Sequence, residues 1–342
     1  MMKNFDRKKV RKILILQYKP FGDVLLNTGY LPSLKEKFSN VKIDFLVRKP
    51  YDIVLKNNPN LNKIITFENL TGIKYFLQRI GLIKNIRNRK YDLIIDQLKG
   101  SGSGIISLFS GAKYRLGFNE HQFNWVYNLR TNEGSPKYTA ARKFELLKPL
   151  GINELNYKIE ITITQEAKLY IQNWLEENNL NNSKIICVAP GSPVRSKKWN
   201  SANYAKLCDK IIENTDYKLV FLGAPDEQKD INNVIEKMNE AVFKAPKTNF
   251  IQAGALLQKA DLLICNDGGL NHLSIAVNTF SLVIFGNTDP ILWSGYELGN
   301  HFYLKNNNYN YSNDDTFGIS VEQAFAKLEQ VLSLANFPQK LL

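Results

Sequence analysis

The feature that most constrains this chain is a short β-rich run that keeps returning. Each time it is cut off by a polar or glycine-containing turn and followed by residues at helical spacing. In the first half the runs are Lys12–Gln17, Val41–Val47, Lys63–Phe67 and Tyr91–Asp96. In the second half they are Lys184–Ala189, Tyr217–Leu222, Leu262–Cys265 and Ser281–Phe285. Helical patterns fall between them at Leu25–Phe38, Ile73–Arg89 (basic and amphipathic), Arg142–Leu150, Ser201–Asn214, Glu227–Met238, Gln252–Ala260 and Gly268–Val277. A last helix, Val321–Leu334, has Ser320 as its N-cap, and Ser201 is read as a cap in the same way. Strands that alternate with helices predict parallel sheets wound on both faces. A chain of 342 residues is too long for one ordinary core, so two domains are expected. They are placed at 1–160 and 161–342, with an irregular connection over 152–165.

Ligands of open α/β sheets gather beyond the carboxyl ends of the strands, and the unusual polar loops of this sequence fall there. Phe21-Gly22-Asp23-Val24 follows the first strand. Asp23 is either a general base for an attacking hydroxyl or a first-turn acid that complements a helix dipole. The run Gly100–Gly104 sits directly after a strand and is read as an active-site loop rather than a linker. Ser192–Trp199, with Arg195, Lys197 and Lys198, is either a diphosphate-neutralising loop or a solvated charged one. In Gly223–Glu227, Asp226 or Glu227 can accept from ribose hydroxyls or cap a helix.

Asn266–His272 (NDGGLNH) is the most informative local run. Gly268 and Gly269 expose backbone N–H groups at a helix start, which is an anion site. Asp267 stands ready for sugar hydroxyls. His272 either touches phosphate or supports the loop. Thr288, in Gly286–Pro290, can donate to phosphate, or the segment is a plain turn capped by Asp289.

Charge narrows the partners. Residues 1–160 hold 29 basic and 13 acidic residues, a net +16, and the rest hold 16 and 19, a net −3, so the positive charge of the chain resides in the first half. Such a field attracts nucleic acid, anionic lipid or a phosphorylated glycan. Against nucleic acid, the chain carries no helix-turn-helix, RNP-type or zinc signature. GxGxxG after the first strand, GxxxxGK[ST] and GxSxG are all missing, which disfavours dehydrogenases, P-loop enzymes and α/β-hydrolases. The three cysteines and three histidines show no metal spacing, and the cysteines read as buried thiols of a reducing compartment. No stretch reaches the ~20 apolar residues of a membrane span. The early run ILIL is interrupted by Gln17, Tyr18 and Lys19, so a signal peptide is not expected.

The ordered set FGDV at 21–24, YDLIID at 91–96, KxW at Lys197–Trp199, GAPDE at 223–227, NDGGLNH at 266–272 and FGNTDP at 285–290 resembles glycosyltransferase family 9, the ADP-heptose:lipopolysaccharide heptosyltransferases. The resemblance implies the GT-B architecture: two Rossmann-like domains facing across a cleft, acceptor domain first and donor domain second. It also implies inverting transfer without a metal or cofactor. By that likeness Asp23 is the base, Lys197 contacts the donor phosphates, with Ser192 in the same loop, and Glu227 meets the ribose. Asp267 meets the donor sugar, and Gly268 and Gly269 offer amides to the diphosphate, with His272 and Thr288 nearby. The implied partners are a nucleotide-sugar donor and an anionic lipid-linked acceptor of the lipid A–Kdo type. The implied location is the cytoplasm, in reversible contact with the inner face of the membrane. Three positions depart from the family pattern: Gln17 where a basic residue is usual (Lys19 is close by), Tyr138 where a histidine is usual, and Gly268 where a hydroxyl residue is usual. The rival readings are another GT-B enzyme, a transferase or epimerase using a UDP-sugar, and a basic nucleic-acid-binding protein.

Overall fold

The computed structural model describes residues 5–134, 137–153, 158–309 and 314–334. The chain divides into two compact units, Met1–Thr162 and Ile163–Leu342. Each is built on one six-stranded sheet in which every pairing is parallel.

In the first unit the strands are β1 (Lys12–Leu16), β2 (Lys42–Arg48), β3 (Lys63–Phe67), β4 (Leu93–Asp96), β5 (Tyr114–Phe118) and β6 (Leu129–Thr131), in the order β3-β2-β1-β4-β5-β6. The central strand β1 is apolar throughout Ile13–Leu16 and fully buried there, as a strand covered on both faces must be. The order reverses between β1 and β4, so the topological switch point of this sheet lies there.

The first crossover does not form the single helix expected over Leu25–Phe38. It begins earlier, as α1 (Phe21–Leu26) directly after Pro20, passes through a 3-10 turn at Asn27–Tyr30 and resumes as α2 (Leu31–Lys37). Pro32 lacks an N–H for the helix ladder, which explains the break. Gly22 and Asp23 therefore sit in a helix's first turn. The next helix is α3 (Gly72–Asn88), where the Ile73–Arg89 pattern placed it.

The Gly100–Gly104 segment is not a loop. Gly100 is the N-cap of α4 (Ser101–Phe109). Its glycines serve packing: a Cβ at Gly104 would meet the His121 and Phe123 rings at 3.0–3.1 Å, and one at Gly102 would strike the Arg79 guanidinium. The last helix of this unit is α5 (Thr139–Glu145), starting earlier than the expected Arg142. After a 3-10 turn it stops at Gly151, whose φ of 74° is left-handed.

The second unit opens with α6 (Gln165–Glu177), which the sequence reading passed over because its apolar face is narrow. Its strands are β7 (Ile185–Ala189), β8 (Lys218–Phe221), β9 (Phe243–Lys244), β10 (Leu262–Asn266), β11 (Phe280–Ile284) and β12 (His301–Leu304), in the order β12-β11-β10-β7-β8-β9. The switch point lies between β7 and β10. The connecting helices are α7 (Ser201–Asn214), α8 (Gln228–Ile235), α9 (Phe250–Lys259), α10 (Gly269–Ala276) and the short α11 (Pro290–Trp293). The cap of α7 is Asn200, not Ser201: its side chain accepts from the Ala202 and Asn203 N–H groups. The final α12 (Val321–Leu334) is capped by Ser320 as expected. Ser320 Oγ accepts from Gln323 N, and Gln323 Oε1 accepts from Ser320 N in return.

Among the described residues, no helix is long and apolar enough to cross a membrane.

Candidate functional site

In the second unit, the site grows from one core side chain. Trp199 is buried against Tyr204, ring centroids 5.0 Å apart. Its indole N–H donates to the Thr316 carbonyl (2.9 Å) and its backbone N–H to Asn266 Oδ1 (3.1 Å). Asn266, the last residue of β10, also accepts from the Tyr204 hydroxyl (3.2 Å) and donates through Nδ2 to the Pro190 carbonyl (2.8 Å). One buried amide thus fastens the end of β10 to both ends of the loop that follows β7. Lys197, two residues before Trp199, is aimed by this anchorage.

Lys197 Nζ lies 2.6 Å from Asp267 Oδ2. Thr288 Oγ1 donates to the same oxygen at 2.8 Å. Three loops, following β7, β10 and β11, therefore meet on one carboxylate at the β7–β10 switch point, and the Asp267 side chain is only 2% exposed. Gly286 permits the approach. A Cβ there would sit 2.5 Å from the Ser196 carbonyl oxygen and 2.6 Å from the Phe317 ring.

Gly268, the N-cap of α10, provides no side-chain cap, so the helix start is left to its backbone amides. A Cβ at Gly268 or Gly269 would meet nothing closer than 3.7 Å. Among the described residues, the only side-chain atom within 4 Å of either position is on the Phe250 ring, at Gly269. His272 is buried, its ring 5.9 Å from that of Trp293, over which the Lys197 ammonium also lies at 5.9 Å. Behind it His301, whose Nδ1 is 2.9 Å from Ser281 Oγ, is pushed down to about 4 by burial and by its histidine neighbour.

Ser192 is buried and accepts from Val194 N within its own loop. Glu227 caps its own turn, with Oε2 accepting from Ala224 N at 2.8 Å, and burial pushes its carboxyl up. Its Cβ packs where a side chain at Gly191 would stand, 2.6 Å away, so Gly191 is what lets Glu227 reach the loop after β7. Beside it, beyond the ends of β8 and β9, lies a cavity of about 300 Å³ lined by Gly223, Pro225, Pro246, Lys247 and Thr248. Nothing in the sequence marked residues 246–248, because β9 has two residues and no periodicity to read.

In the first unit, Asp23 stands in the first turn of α1, its carbonyl held by Asn27 Nδ2 at 2.7 Å. Its Oδ1 lies 3.0 Å from Nζ of Lys143 on α5. Burial lowers the Lys143 pKa and the Asp23 charge opposes that shift. Two glutamines sit at the β1–β4 switch point: Gln17, whose Oε1 accepts from Lys19 N, and Gln97, whose Nε2 donates to the Lys143 carbonyl. Gln17 Nε2 and Gln97 Oε1 are buried without a partner among the described residues.

Asp96 ends β4 in a buried relay. Phe123 N donates to His121 Nδ1, which leaves Nε2 to carry the ring proton. That atom is 3.0 Å from the Tyr127 hydroxyl, which donates to Asp96 Oδ2 at 2.5 Å. Burial pushes the Asp96 carboxyl up to about 7. Lys143, Asn266 and this relay escaped the sequence reading because their partners lie far away along the chain. Among the described residues, no three His, Cys, Asp or Glu side chains gather as a metal site.

Two doubly wound, wholly parallel units, the second with a switch-point carboxylate, lysine and open helix start, make this a GT-B-type enzyme fold. The family model for glycosyltransferase family 9 (heptosyltransferase) matches residues 79–316. Lipopolysaccharide heptosyltransferase 3 of Escherichia coli is 24% identical over 80% of this chain and 82% of its own. The crystal structure of a family 9 glycosyl transferase from Veillonella parvula superimposes with a TM-score of 0.83 at 20% identity, over 96% of this chain and 99% of that one. The E. coli ADP-heptose lipopolysaccharide heptosyltransferase II superimposes with a TM-score of 0.77 at 18% identity, over 94% and 99%. The chain belongs to glycosyltransferase family 9.

Proposed function

We propose that this enzyme moves a heptose from ADP-heptose onto the inner core of lipopolysaccharide, with inversion and without a metal. The observation that carries the reading is the joining of Lys197, Thr288 and Asp267 on one oxygen beside the start of α10. Such a site suits a sugar diphosphate. The α10 amides and the Lys197 ammonium oppose the charge that grows on the departing diphosphate. Asp267 and Thr288 offer hydrogen bonds to the sugar and phosphate, Glu227 to the ribose, and the cavity beside Glu227 has room for the base. His272 braces the loop from beneath, and Ser192 shapes its other side.

In the first unit Asp23 takes the proton from the attacking acceptor hydroxyl, with Lys143 holding the carboxylate in place. Nucleophile and leaving group on opposite faces of the anomeric carbon give inversion. The surplus of basic residues in 1–160 favours an anionic, lipid-linked acceptor reached from the inner face of the membrane. The relatives named above as lipopolysaccharide heptosyltransferases support that acceptor class.

The test is single-turnover transfer from ADP-heptose to a Kdo-bearing acceptor, read by mass spectrometry. Asp23→Asn is expected to lower the rate by roughly 10²–10⁴, the usual worth of a general base, while ADP-heptose still binds. Full activity in Asp23→Asn would refute the base. Tighter binding of a UDP-sugar than of ADP-heptose would refute the donor.

A further inference from the structure

Helix α3 presents apolar side chains to both sides. Leu82 and Ile86 are buried against the sheet. Ile73, Phe76, Leu77 and Ile80 are 61–70% exposed and fall at i, i+3, i+4 and i+7, so they form one stripe facing solvent. Lys84 continues that face and Lys74 flanks it, both exposed, and no acidic residue occurs anywhere in the helix. Neighbouring α4 enlarges the patch. Arg79 and Arg87 of α3 donate to the carbonyls of Gly102 and Phe109, which sets the two helices side by side. From α4, Ile105, Leu108 and Phe109 are 37%, 37% and 51% exposed. Trp125, 67% exposed, sits on the segment after Phe123, whose ring packs against α4 at Gly104.

A stripe of large apolar residues on a helix whose charged residues are all cations is the composition of a helix lying in the interface of an anionic bilayer. Its place in the unit agrees. In a parallel sheet each crossover helix starts at the carboxyl edge, so the exposed half of α3 is at the edge that carries Asp23. Arg79 of α3 lies over the Tyr18 ring (5.9 Å) on the loop leading to α1.

We infer that the solvent face of α3, extended by α4 and Trp125, is a docking surface for an anionic lipid bilayer. It brings the carboxyl edge of the first unit to the membrane surface. This rests on the reading above that the acceptor is lipid-linked.

The experiment is co-sedimentation of the full chain with vesicles, without donor or acceptor. One set is phosphatidylethanolamine with phosphatidylglycerol, the other phosphatidylcholine alone. The wild type is expected to pellet with the first set and to be released by salt. Phe76→Ser/Leu77→Ser/Ile80→Ser is expected to lose at least about tenfold in partitioning, since three large side chains leave the interface, at an unchanged melting temperature. Lys74→Glu/Lys84→Glu is expected to weaken binding to the anionic vesicles alone. Both variants should transfer normally to a deacylated, water-soluble acceptor and poorly to one embedded in vesicles. Equal vesicle binding by wild type and triple variant overturns the proposal, as does a dimer that the triple substitution dissolves without changing vesicle binding. Normal vesicle behaviour with no transfer from ADP-heptose to any acceptor sinks the enzymatic reading and leaves the docking surface standing.

Discussion

The Lys143 ammonium lies 3.0 Å from Asp23 Oδ1, joining the first turn of α1 to α5. Lys143 is 9% exposed and Asp23 21%, so this pair is screened far less than a surface one. In Lys143→Met the carboxylate loses its neighbouring cation. The acidic limb of the pH–rate profile is expected to move to higher pH, and kcat to fall more than the donor KM rises. An unmoved limb would make Lys143 a packing residue only.

Lys197 and Asp267 should show strong coupling. Removing the cation leaves a carboxylate that is 2% exposed with Thr288 Oγ1 on the oxygen the cation also held. Lys197→Met is therefore expected to melt lower than Lys197→Met/Asp267→Asn, in which no buried charge is stranded. Both variants should bind ADP more weakly than the wild type by calorimetry. Additive losses in melting temperature would mean the pair is not coupled.

Glycines around the same loop separate stability from binding. At Gly286 a Cβ would collide with the Ser196 carbonyl and the Phe317 ring. Gly286→Ala is expected to cost about 1–3 kcal/mol, as overpacking does. At Gly268 φ is −177°, extended backbone open to any residue, and a Cβ would meet only the Asn266 oxygen at 3.9 Å. Gly268→Ala should keep the wild-type melting temperature and weaken ADP binding. Loss of stability without loss of affinity at this position would remove it from the donor site.

Asp96 makes stability depend on pH. Its carboxyl rises from 3.8 to about 7 on folding, so the folded state favours the protonated form. The stability this contributes is complete below pH 3.8 and is lost as pH rises toward and through about 7. In Asp96→Asn that fall between pH 4 and 7 should vanish, leaving the variant at least as resistant to urea at pH 8 as the wild type. An identical pH profile in both proteins would exclude Asp96 as the source.

Much of this architecture was written locally. Runs such as KILIL and LLIC must be buried on both faces, and their alternation with helical patterns requires parallel sheets. The loops at strand ends were where a site was to be expected, and NDGGLNH carries the carboxylate and the open helix start of the candidate one. What local pattern misjudged, neighbours explain. Gly100–Gly104 reads as a loop until Arg79, His121 and Phe123 are seen to need its missing side chains. Asn200 rather than Ser201 caps α7 because its side chain is the one that reaches the Ala202 and Asn203 amides.

By itself the sequence determined the fold class, the family and the identity of Asp23, Lys197, Asp267 and Thr288 as the groups to watch. Only the tertiary structure decided that Lys143 faces Asp23, that Asn266 ties the end of β10 to both ends of the loop after β7, and that an apolar face of α3 meets solvent. Strand and helix periodicities are set within a few residues by backbone geometry. Ion pairs, buried amides and exposed stripes depend on which distant segments fill the space beside them, and no short stretch of chain encodes that.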